Sequence, residues 1–231
     1  MKNYRLSVFF IALALCFAAG VSAQDWAGLG IYQAENVKLA PPEKGENRVV
    51  FMGNSITEFW LKLHPEFFAG KPYVDRGISG QTSPQMLLRF RQDVVELKPS
   101  IVIILAGVND IAGNTGPSTL EMIMNNIISM AQLAKANHIT PILCSVLPAN
   151  DFWWNPGTEP ADKIISLNKM IKQYADENGI IYVDYFTPMV DDQKGLKKEY
   201  SDDGVHPNVA GYQLMEPLAE EAIAKAATIN R

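Results

Sequence analysis

Short apolar runs alternate with amphipathic stretches along most of the chain. Five runs, mostly apolar throughout, are typical of strands that are covered on both faces. They are VVFMG (49–53), YVDRG (73–77), IVIILAG (101–107), PILCSV (141–146) and IIYVDY (180–185). Because helix-like segments separate these runs, we expect an α/β fold, a three-layer α/β/α sandwich with a mostly parallel sheet of about five strands.

Cap and stop residues mark the helices between these runs. Ser83 is the predicted N-cap of a helix that ends before Pro99. Ser118 and Glu121 form a capping box that predicts a second helix, running to about residue 137. Both helices would lie between consecutive strands, as a parallel sheet requires.

Two further helices are predicted after the fourth strand, whereas no regular element is predicted before the first strand. A helix is predicted over 161–179, where a glycine stop ends it. The last helical segment follows Asn208, and Pro217 predicts a kink or a break within it. Residues 24–47 lack a clear periodicity, so we expect an irregular segment before the first strand.

Residues 1–23 have the pattern of a cleaved signal peptide. Lys2 and Arg5 form a basic start, an apolar core follows over 6–20, and small residues precede Gln24. The apolar run is short for a bilayer span, which needs about 20 residues. We therefore expect export to the periplasm or the medium with no stable membrane anchor after cleavage, leaving a single domain over 24–231.

Charge and cysteine content exclude several classes of function. The net charge of −5 becomes −7 without residues 1–23, because that segment holds two basic residues and no acid. An acidic chain without a basic cluster is a poor candidate for binding nucleic acid or anionic membranes. Cys144 would be the one remaining cysteine, so no internal disulfide is expected, and no Cys/His cluster suggests a metal.

Ser55 is the first candidate for chemistry. It follows the first predicted strand in the sequence Gly53-Asn54-Ser55. A serine at this position either caps the next helix or acts as a nucleophile. The pentapeptide G-x-S-x-G is absent from the chain, which excludes the usual α/β-hydrolase elbow.

A serine nucleophile needs a base, and the chain has three histidines. His64 and His138 are most simply residues at helix ends. His206 lies in a turn-rich loop, three residues after Asp203. This D-x-x-H spacing lets the carboxylate accept from Nδ1–H and leaves Nε2 free as a base, although a plain surface turn has the same composition.

Two further polar features follow predicted strands. Asn109 is either part of a turn or an amide donor to a developing oxyanion. Gly80 is either a turn glycine or a backbone donor, close to a helix start where free N–H groups favour negative charge. Ligands bind beyond the carboxyl ends of parallel strands, so Ser55, Gly80 and Asn109 are all expected at that edge.

The blocks GNSIT, RGISGQTS, GVND and DGVHPN occur in this order along the chain. Together they resemble the SGNH hydrolase superfamily, the GDSL-type esterases and lipases, over essentially the whole predicted domain. The resemblance implies a flavodoxin-like fold and a Ser-His-Asp triad of Ser55, His206 and Asp203. It also implies an oxyanion hole formed by the Ser55 N–H, the Gly80 N–H and the Asn109 side chain.

One residue departs from the pattern of this family. The first block usually reads G-D-S, whereas this chain has Asn54 before the serine. Asparagine keeps the shape and a hydrogen-bonding carbonyl but loses the charge. We expect tuning rather than loss of activity, and we include Asn54 among the candidate substrate contacts.

The resemblance implies a serine esterase that needs no metal or cofactor. For an exported acidic protein without a long apolar lid helix, we favour removal of short acyl groups, above all acetyl, from a carbohydrate or similar small substrate. Trp153 and Trp154 follow the fourth predicted strand, where they either contact this substrate or close the core. The alternatives are a lysophospholipase or thioesterase and, from another class, a non-catalytic carbohydrate-binding protein. The oligomeric state is left open.

Overall fold

The computed structural model describes residues 25–229. The predicted signal peptide, residues 1–23, lies outside the described residues. The structure has helices and parallel strands in alternation, as the sequence pattern predicts. None of the helices in the described range has the length and apolar character needed to span a membrane.

Five strands form the sheet, and eight α-helices are found within residues 25–229. The strands are β1 (Val49–Gly53), β2 (Tyr73–Gly77), β3 (Ile101–Ile104), β4 (Thr140–Cys144) and β5 (Ile181–Val183). The helices are α1 (Gln33–Lys38), α2 (Ser55–Leu63), α3 (Ser83–Asp93), α4 (Val108–Ile111), α5 (Leu120–Ala136), α6 (Ala161–Asn178), α7 (Phe186–Met189) and α8 (Val209–Ile229). Two single 3₁₀ turns, Pro65–Phe67 and Val95–Leu97, follow α2 and α3.

The sheet is entirely parallel, with the strand order β2-β1-β3-β4-β5. Helices α2 and α8 pack on one face, while α3, α5 and α6 pack on the other. Strands covered on both faces must be apolar on both faces, and all five residues of β1 are buried. The buried apolar side chains form one contiguous core cluster.

The strand order reverses direction between β1 and β3. From β1 the chain moves to one edge through β2, and it later returns to the other side of β1 as β3. This reversal opens a crevice at the carboxyl ends of the two strands, which is where open α/β sheets bind their ligands. Ser55 follows β1 and Asn109 follows β3, so both residues border this crevice.

Helix α2 lies unusually close to the sheet. A Cβ at Gly77, the last residue of β2, would be 2.1 Å from the backbone nitrogen of Glu58. No side chain is compatible with that distance, so glycine is required where the first turn of α2 crosses the end of β2. This close approach fixes the start of α2, and with it the height of Ser55 above the sheet edge.

The predicted strands are longer than the observed ones at three places. The runs 101–107, 141–146 and 180–185 continue past the last paired residues of β3, β4 and β5. Residues Leu105, Ala106 and Val146 are buried although they lie in loops. An apolar run therefore reports burial and overestimates the extent of strand pairing.

Two predicted helix caps are wrong by one residue. Thr82, not Ser83, is the N-cap of α3, in a capping box with Gln85. Thr119, not Ser118, caps α5 by accepting from the Met122 N–H at 3.2 Å. In each case two neighbouring hydroxyl residues compete for the cap, and the sequence does not distinguish them. The glycine stop of α6 at residue 179 is confirmed.

Of the kink or break predicted at Pro217, the break does not occur, because α8 continues through that residue. The proline ring lies on the exposed side of the helix, where water can bond the carbonyl that loses its partner. Met215 and Ala219 on either side are fully buried, and their packing keeps the helix continuous.

The segment before β1 is more ordered than predicted. It contains α1, and its side chains bond to the edge of the sheet and to α3. Tyr32 donates to the Gly77 carbonyl, and Asn36 donates to Asp93 at 2.7 Å and accepts from Arg76 at 2.9 Å. The segment thus covers part of the edge strand β2. An uncovered edge strand can pair with another chain.

Asp75 is a buried acid in the same edge strand. Its side chain lies on the face covered by α2, since it is in register with Phe51, and the residue is 6% exposed. One oxygen accepts from the Gly77 N–H at 2.8 Å, while Oδ2 has no partner among the described residues. Burial raises the pKa of Asp75 to about 7, since few groups compensate the charge there.

This pKa predicts a loss of stability with rising pH. Between the ordinary pKa of 3.8 and about 7, the folded state keeps a proton on Asp75 that the unfolded chain has released. The free energy of unfolding should therefore fall by up to about 1.4 kcal/mol per pH unit in this range. Asp75→Asn should flatten that fall, measured as urea midpoints across the range. Asp192→Asn, at an exposed position, should follow wild type; parallel curves for all three proteins would contradict the assignment.

Candidate active site

Ser55 is the first residue of α2, and the cap of that helix is Asn54. The Asn54 Oδ1 accepts from the Ile56 N–H at 3.0 Å, and its carbonyl accepts from the Thr57 and Glu58 N–H groups. The first N–H groups of a helix lack partners within the helix, and Asn54 provides the acceptor for three of them. The Ser55 hydroxyl is therefore not needed as a cap, which answers the alternative raised by the sequence.

This position of Asn54 corrects one expectation. Its side chain is 1% exposed and does not line the cleft, so it is not positioned to contact a substrate there. Its Nδ2 has no partner within residues 25–229. The side chain acts instead on the helix start, and the Ser55 N–H remains without an intrahelical acceptor.

The His206 imidazole lies against the serine hydroxyl. Ser55 Oγ and His206 Nε2 are 2.9 Å apart, a normal hydrogen-bond distance between residues 151 positions apart in the chain. The Phe59 ring, on the next turn of α2, lies 5.2 Å from the imidazole between centroids. The ring of His206 is thereby held between the hydroxyl and an aromatic wall.

Asp203 holds the other side of the imidazole. Its Oδ2 lies 2.7 Å from His206 Nδ1, and its Oδ1 accepts from the N–H groups of Val205 and His206. Partial burial raises the pKa of Asp203, but the hydrogen bonds from the His206 side chain and backbone outweigh it, so the net pKa is below its usual 3.8. The carboxylate is therefore charged at neutral pH and can orient and stabilise an imidazolium.

Ser201 is a residue that the sequence reasoning missed. Its hydroxyl donates to the His206 carbonyl at 2.7 Å and accepts from the Gly204 N–H at 2.9 Å. These bonds close the turn that brings Asp203 and His206 together. The available signal was local, because a serine hydroxyl in a turn-rich segment can bond the backbone of its own turn.

Gly80 lies beside Ser55 in the loop after β2. Its φ of +77° is in the left-handed region, which glycine adopts at little cost. No acceptor for its N–H is found among residues 25–229. The geometry thus leaves this amide available to a ligand in the cleft that Ser55 and Gly80 both line.

Asn109 is held at the start of α4 by its neighbours. Its Nδ2 donates to the Gln81 carbonyl at 2.9 Å, and the second hydrogen of the amide remains for a ligand. The adjacent Asp110 accepts from the Ser83 N–H and from the Ser83 hydroxyl, at 2.6 Å for the latter. This bond ties the Asn109 segment to the first turn of α3.

A buried arginine joins the strand end before Ser55 to the loop of Gly80. Arg89 is 0% exposed and donates to the Gly53 carbonyl at 2.9 Å and to the Gln81 side chain at 2.5 Å. Its charge is balanced by Asp93, which is also fully buried, at 3.1 Å. A buried charge requires such partners, so a shift of Gly53, Gln81 or Asp93 would leave Arg89 incompletely bonded.

The cleft at this site is small and aromatic, with a volume of about 230 Å³. Its lining residues are Ser55, Phe59, Ser79, Gly80, Asn109, Asn114, Trp153, Trp154 and His206. Trp153 is 68% exposed at the cleft. Trp154 is half-buried and stacks on the core residue Phe152 at 4.9 Å between centroids. Both tryptophans therefore line the cleft, and Trp154 also packs on the core.

The other two histidines lie at helix ends, as the sequence suggested. His64 is the C-cap of α2 and is 2.6 Å from Glu216 on α8, and His138 lies between α5 and β4. Within the part of the chain that the structure describes, no three His, Cys, Asp or Glu side chains are grouped so that they could hold a metal ion.

Comparison with known proteins gives matches over most of the chain. The model of the GDSL-like Lipase/Acylhydrolase family matches residues 51–214. A GDSL-like lipase from Bacteroides thetaiotaomicron is 52% identical with a TM-score of 0.85, and the match covers 87% of this chain and 98% of that one. A candidate acylhydrolase from Bacteroides fragilis is 50% identical with a TM-score of 0.87, over 90% and 100% of the two chains. Esterase TesA of Pseudomonas aeruginosa is 28% identical over 72% of this chain and 78% of its own length.

The contact between Asp203 and His206 yields a test of this arrangement. Asp203→Asn removes the negative charge beside His206 Nδ1, so we expect the kcat for p-nitrophenyl acetate to fall by about 10³- to 10⁴-fold. Asp202→Asn removes the neighbouring exposed carboxylate and should stay within a few-fold of wild type. Equal losses in the two variants would show that general charge, not the contact with Nδ1, matters at this site.

Proposed function

The chain belongs to the GDSL-like lipase/acylhydrolase family and is an ester-hydrolysing serine hydrolase; on this premise we propose that it removes short acyl groups, above all acetyl, from a carbohydrate or a similar small substrate. We propose Ser55, His206 and Asp203 as its catalytic triad. The observation that carries this proposal is the 2.9 Å contact of Ser55 Oγ with His206 Nε2, with Asp203 behind the ring and a cleft in front of the hydroxyl.

The first half of the reaction forms an acyl-enzyme. His206 Nε2 takes the proton of Ser55 Oγ as that oxygen attacks the acyl carbon, and Asp203 stabilises the resulting imidazolium. The negative charge on the carbonyl oxygen is received by the Ser55 and Gly80 N–H groups and by the Asn109 amide. The tetrahedral intermediate then collapses, and His206 returns the proton to the departing alcohol oxygen.

The second half releases the acid. A water molecule gives its proton to His206 as it attacks the acyl carbon of the ester on Ser55. The same three donors receive the charge of this second intermediate. Collapse then breaks the bond to Ser55 Oγ, and the proton on His206 returns to the serine. Losing one such donor costs on the order of 3–4 kcal/mol of transition-state stabilisation in other enzymes.

Cleft size supports a short acyl group. Pockets for drug-sized ligands typically have volumes of about 300–1,000 Å³, whereas this cleft has about 230 Å³. Phe59, Trp153 and Trp154 border it, and Trp154 is fixed from behind by the buried Phe152. A long acyl chain would have to leave the cleft along its surface, which argues against the lysophospholipase or thioesterase alternative.

The exposed Trp153 supports a carbohydrate as the alcohol part. An indole with 68% of its surface exposed beside a polar site offers a flat face, and its ring packs edge-on to Trp154 at 5.4 Å between centroids. Sugar rings present C–H groups that stack on such faces. We propose that Trp153 holds the sugar while the acetyl group enters the cleft.

Three esters test this substrate class: p-nitrophenyl acetate, p-nitrophenyl octanoate and fully acetylated glucose. We expect wild type to have a kcat/KM for the acetate at least about tenfold above that for the octanoate. Trp153→Ala should raise the KM for the acetylated sugar several-fold, because aromatic contacts contribute about 0.5–1.5 kcal/mol. It should change the p-nitrophenyl acetate values little.

Trp26→Ala is the matched control, since Trp26 is also exposed but lies outside the cleft. It should behave as wild type on all three esters. A preference for octanoate would move the substrate class to lipids or thioesters. An unchanged KM for acetylated glucose in Trp153→Ala would show that Trp153 does not hold the sugar.

A further inference from the structure

The Gly80 amide lies in a turn over residues 78–81, which one long backbone bond closes, from the Gln81 N–H to the Ile78 carbonyl at 3.3 Å. Gly80 has no side chain, a positive φ and an exposed surface. Oxyanion donors act through preorganisation, within about 2.7–3.1 Å of the position that the oxygen will occupy. Two side chains outside the proposed triad and oxyanion hole add bonds to this turn, on either side of the Gly80 N–H.

Glu58 holds the residue before Gly80. Its Oε2 accepts from the Ser79 N–H at 2.7 Å and from the Ser79 hydroxyl. Burial raises the pKa of Glu58, but hydrogen bonds from Lys62 and Ser79 outweigh it, and the net pKa is lowered. Glu58 lies three residues after Ser55 on α2, so the same helix carries the proposed nucleophile and the anchor of the neighbouring donor loop.

Asn114 holds the other side of the loop. Its Nδ2 donates to the Gly80 carbonyl at 3.1 Å, and its Oδ1 accepts from the Trp154 indole N–H at 3.1 Å. Its backbone N–H also donates to the Asn109 carbonyl at 3.0 Å. One exposed asparagine thus connects two of the three oxyanion donors to the aromatic wall of the cleft.

We propose that Glu58 and Asn114 are positioning residues that fix the Gly80 amide in the oxyanion hole, and that Trp154 sets Asn114 so that the cleft wall and the hole form one unit. This inference rests on the proposed function, because it presumes that an oxyanion forms at Ser55. Neither residue touches the reacting atoms in this account. Both act through the conformation of residues 79–80.

The expected signature is a loss in kcat with little change in KM. An ester ground state needs the Gly80 amide less than the tetrahedral transition state does, so a looser loop weakens mainly the latter. Since a full donor contributes about 10²- to 10³-fold, a misplaced donor should cost about 10- to 100-fold. A merely structural role would lower the melting temperature without separating kcat from KM.

The variants separate the individual bonds. Asn114→Ala removes both side-chain bonds, and Asn114→Asp keeps an acceptor for Trp154 but has no donor for Gly80. Trp154→Phe keeps an aromatic ring against Phe152 and removes the bond to Asn114. Glu58→Ala removes the anchor of Ser79, whereas Glu58→Gln keeps an oxygen that can accept from it.

Asn178→Ala is the control for loss of an exposed asparagine bond. That side chain donates to the Tyr174 carbonyl at 2.9 Å, at the end of α6. Each protein is assayed for kcat and KM with p-nitrophenyl acetate, for the melting temperature, and for the inhibition constant of trifluoroacetone, which forms a tetrahedral adduct with an activated serine.

Asn114→Ala, Asn114→Asp and Glu58→Ala should lose about 10- to 100-fold in kcat, and trifluoroacetone binding should weaken in parallel. Trp154→Phe should lose several-fold, Glu58→Gln should regain most of the rate, and Asn178→Ala should match wild type. An unchanged kcat in both Asn114 variants would overturn the inference. So would a lower melting temperature with no loss in kcat beyond the change in KM. Full activity of Ser55→Ala would instead overturn the proposed function, so the two failures are distinguishable.

Discussion

The close contact between helix α2 and the end of strand β2 determines where the chemistry can occur. The backbone of Glu58 lies where the side chain of residue 77 would be, and only glycine is compatible with it. That contact sets the first turn of α2 directly over the carboxyl edge of the sheet. Asn54 then caps the turn, so the hydroxyl and the N–H of Ser55 are not needed for capping. The crevice created by the reversal of strand order lies beside them.

Buried polar bonds transmit this placement to the other parts of the site. Arg89 bonds both to the carbonyl just before Asn54 and to the side chain of Gln81, and the Gln81 carbonyl in turn accepts from Asn109. Each partner would be left buried and unpaired if one member moved, which is costly in a dry interior. The proposed oxyanion donors at Gly80 and Asn109 are thus linked by a network of buried bonds rather than set by isolated turns.

The sequence predicted the architecture and the residues at the strand ends because both follow from simple patterns. Apolar runs predicted the number of strands, and Asp203 and His206 are near enough in the chain for their pairing to be visible. The contacts of Asn114 were not predictable, since they join loops 34 and 40 residues apart and depend on no periodicity. Helix caps failed where hydroxyl residues were adjacent, as at Thr82, because local energies there are nearly equal.

Covalent labelling shows whether Ser55 is an activated nucleophile, the property on which the proposed chemistry depends. The protein is treated with a fluorophosphonate, and intact mass and peptide mapping locate the adduct, with Ser55→Ala and His206→Ala treated in parallel. We expect one adduct, on Ser55, that is absent in Ser55→Ala and forms far more slowly in His206→Ala. Labelling of another residue, or an equal labelling rate without His206, would show that Ser55 is not a nucleophile activated by His206.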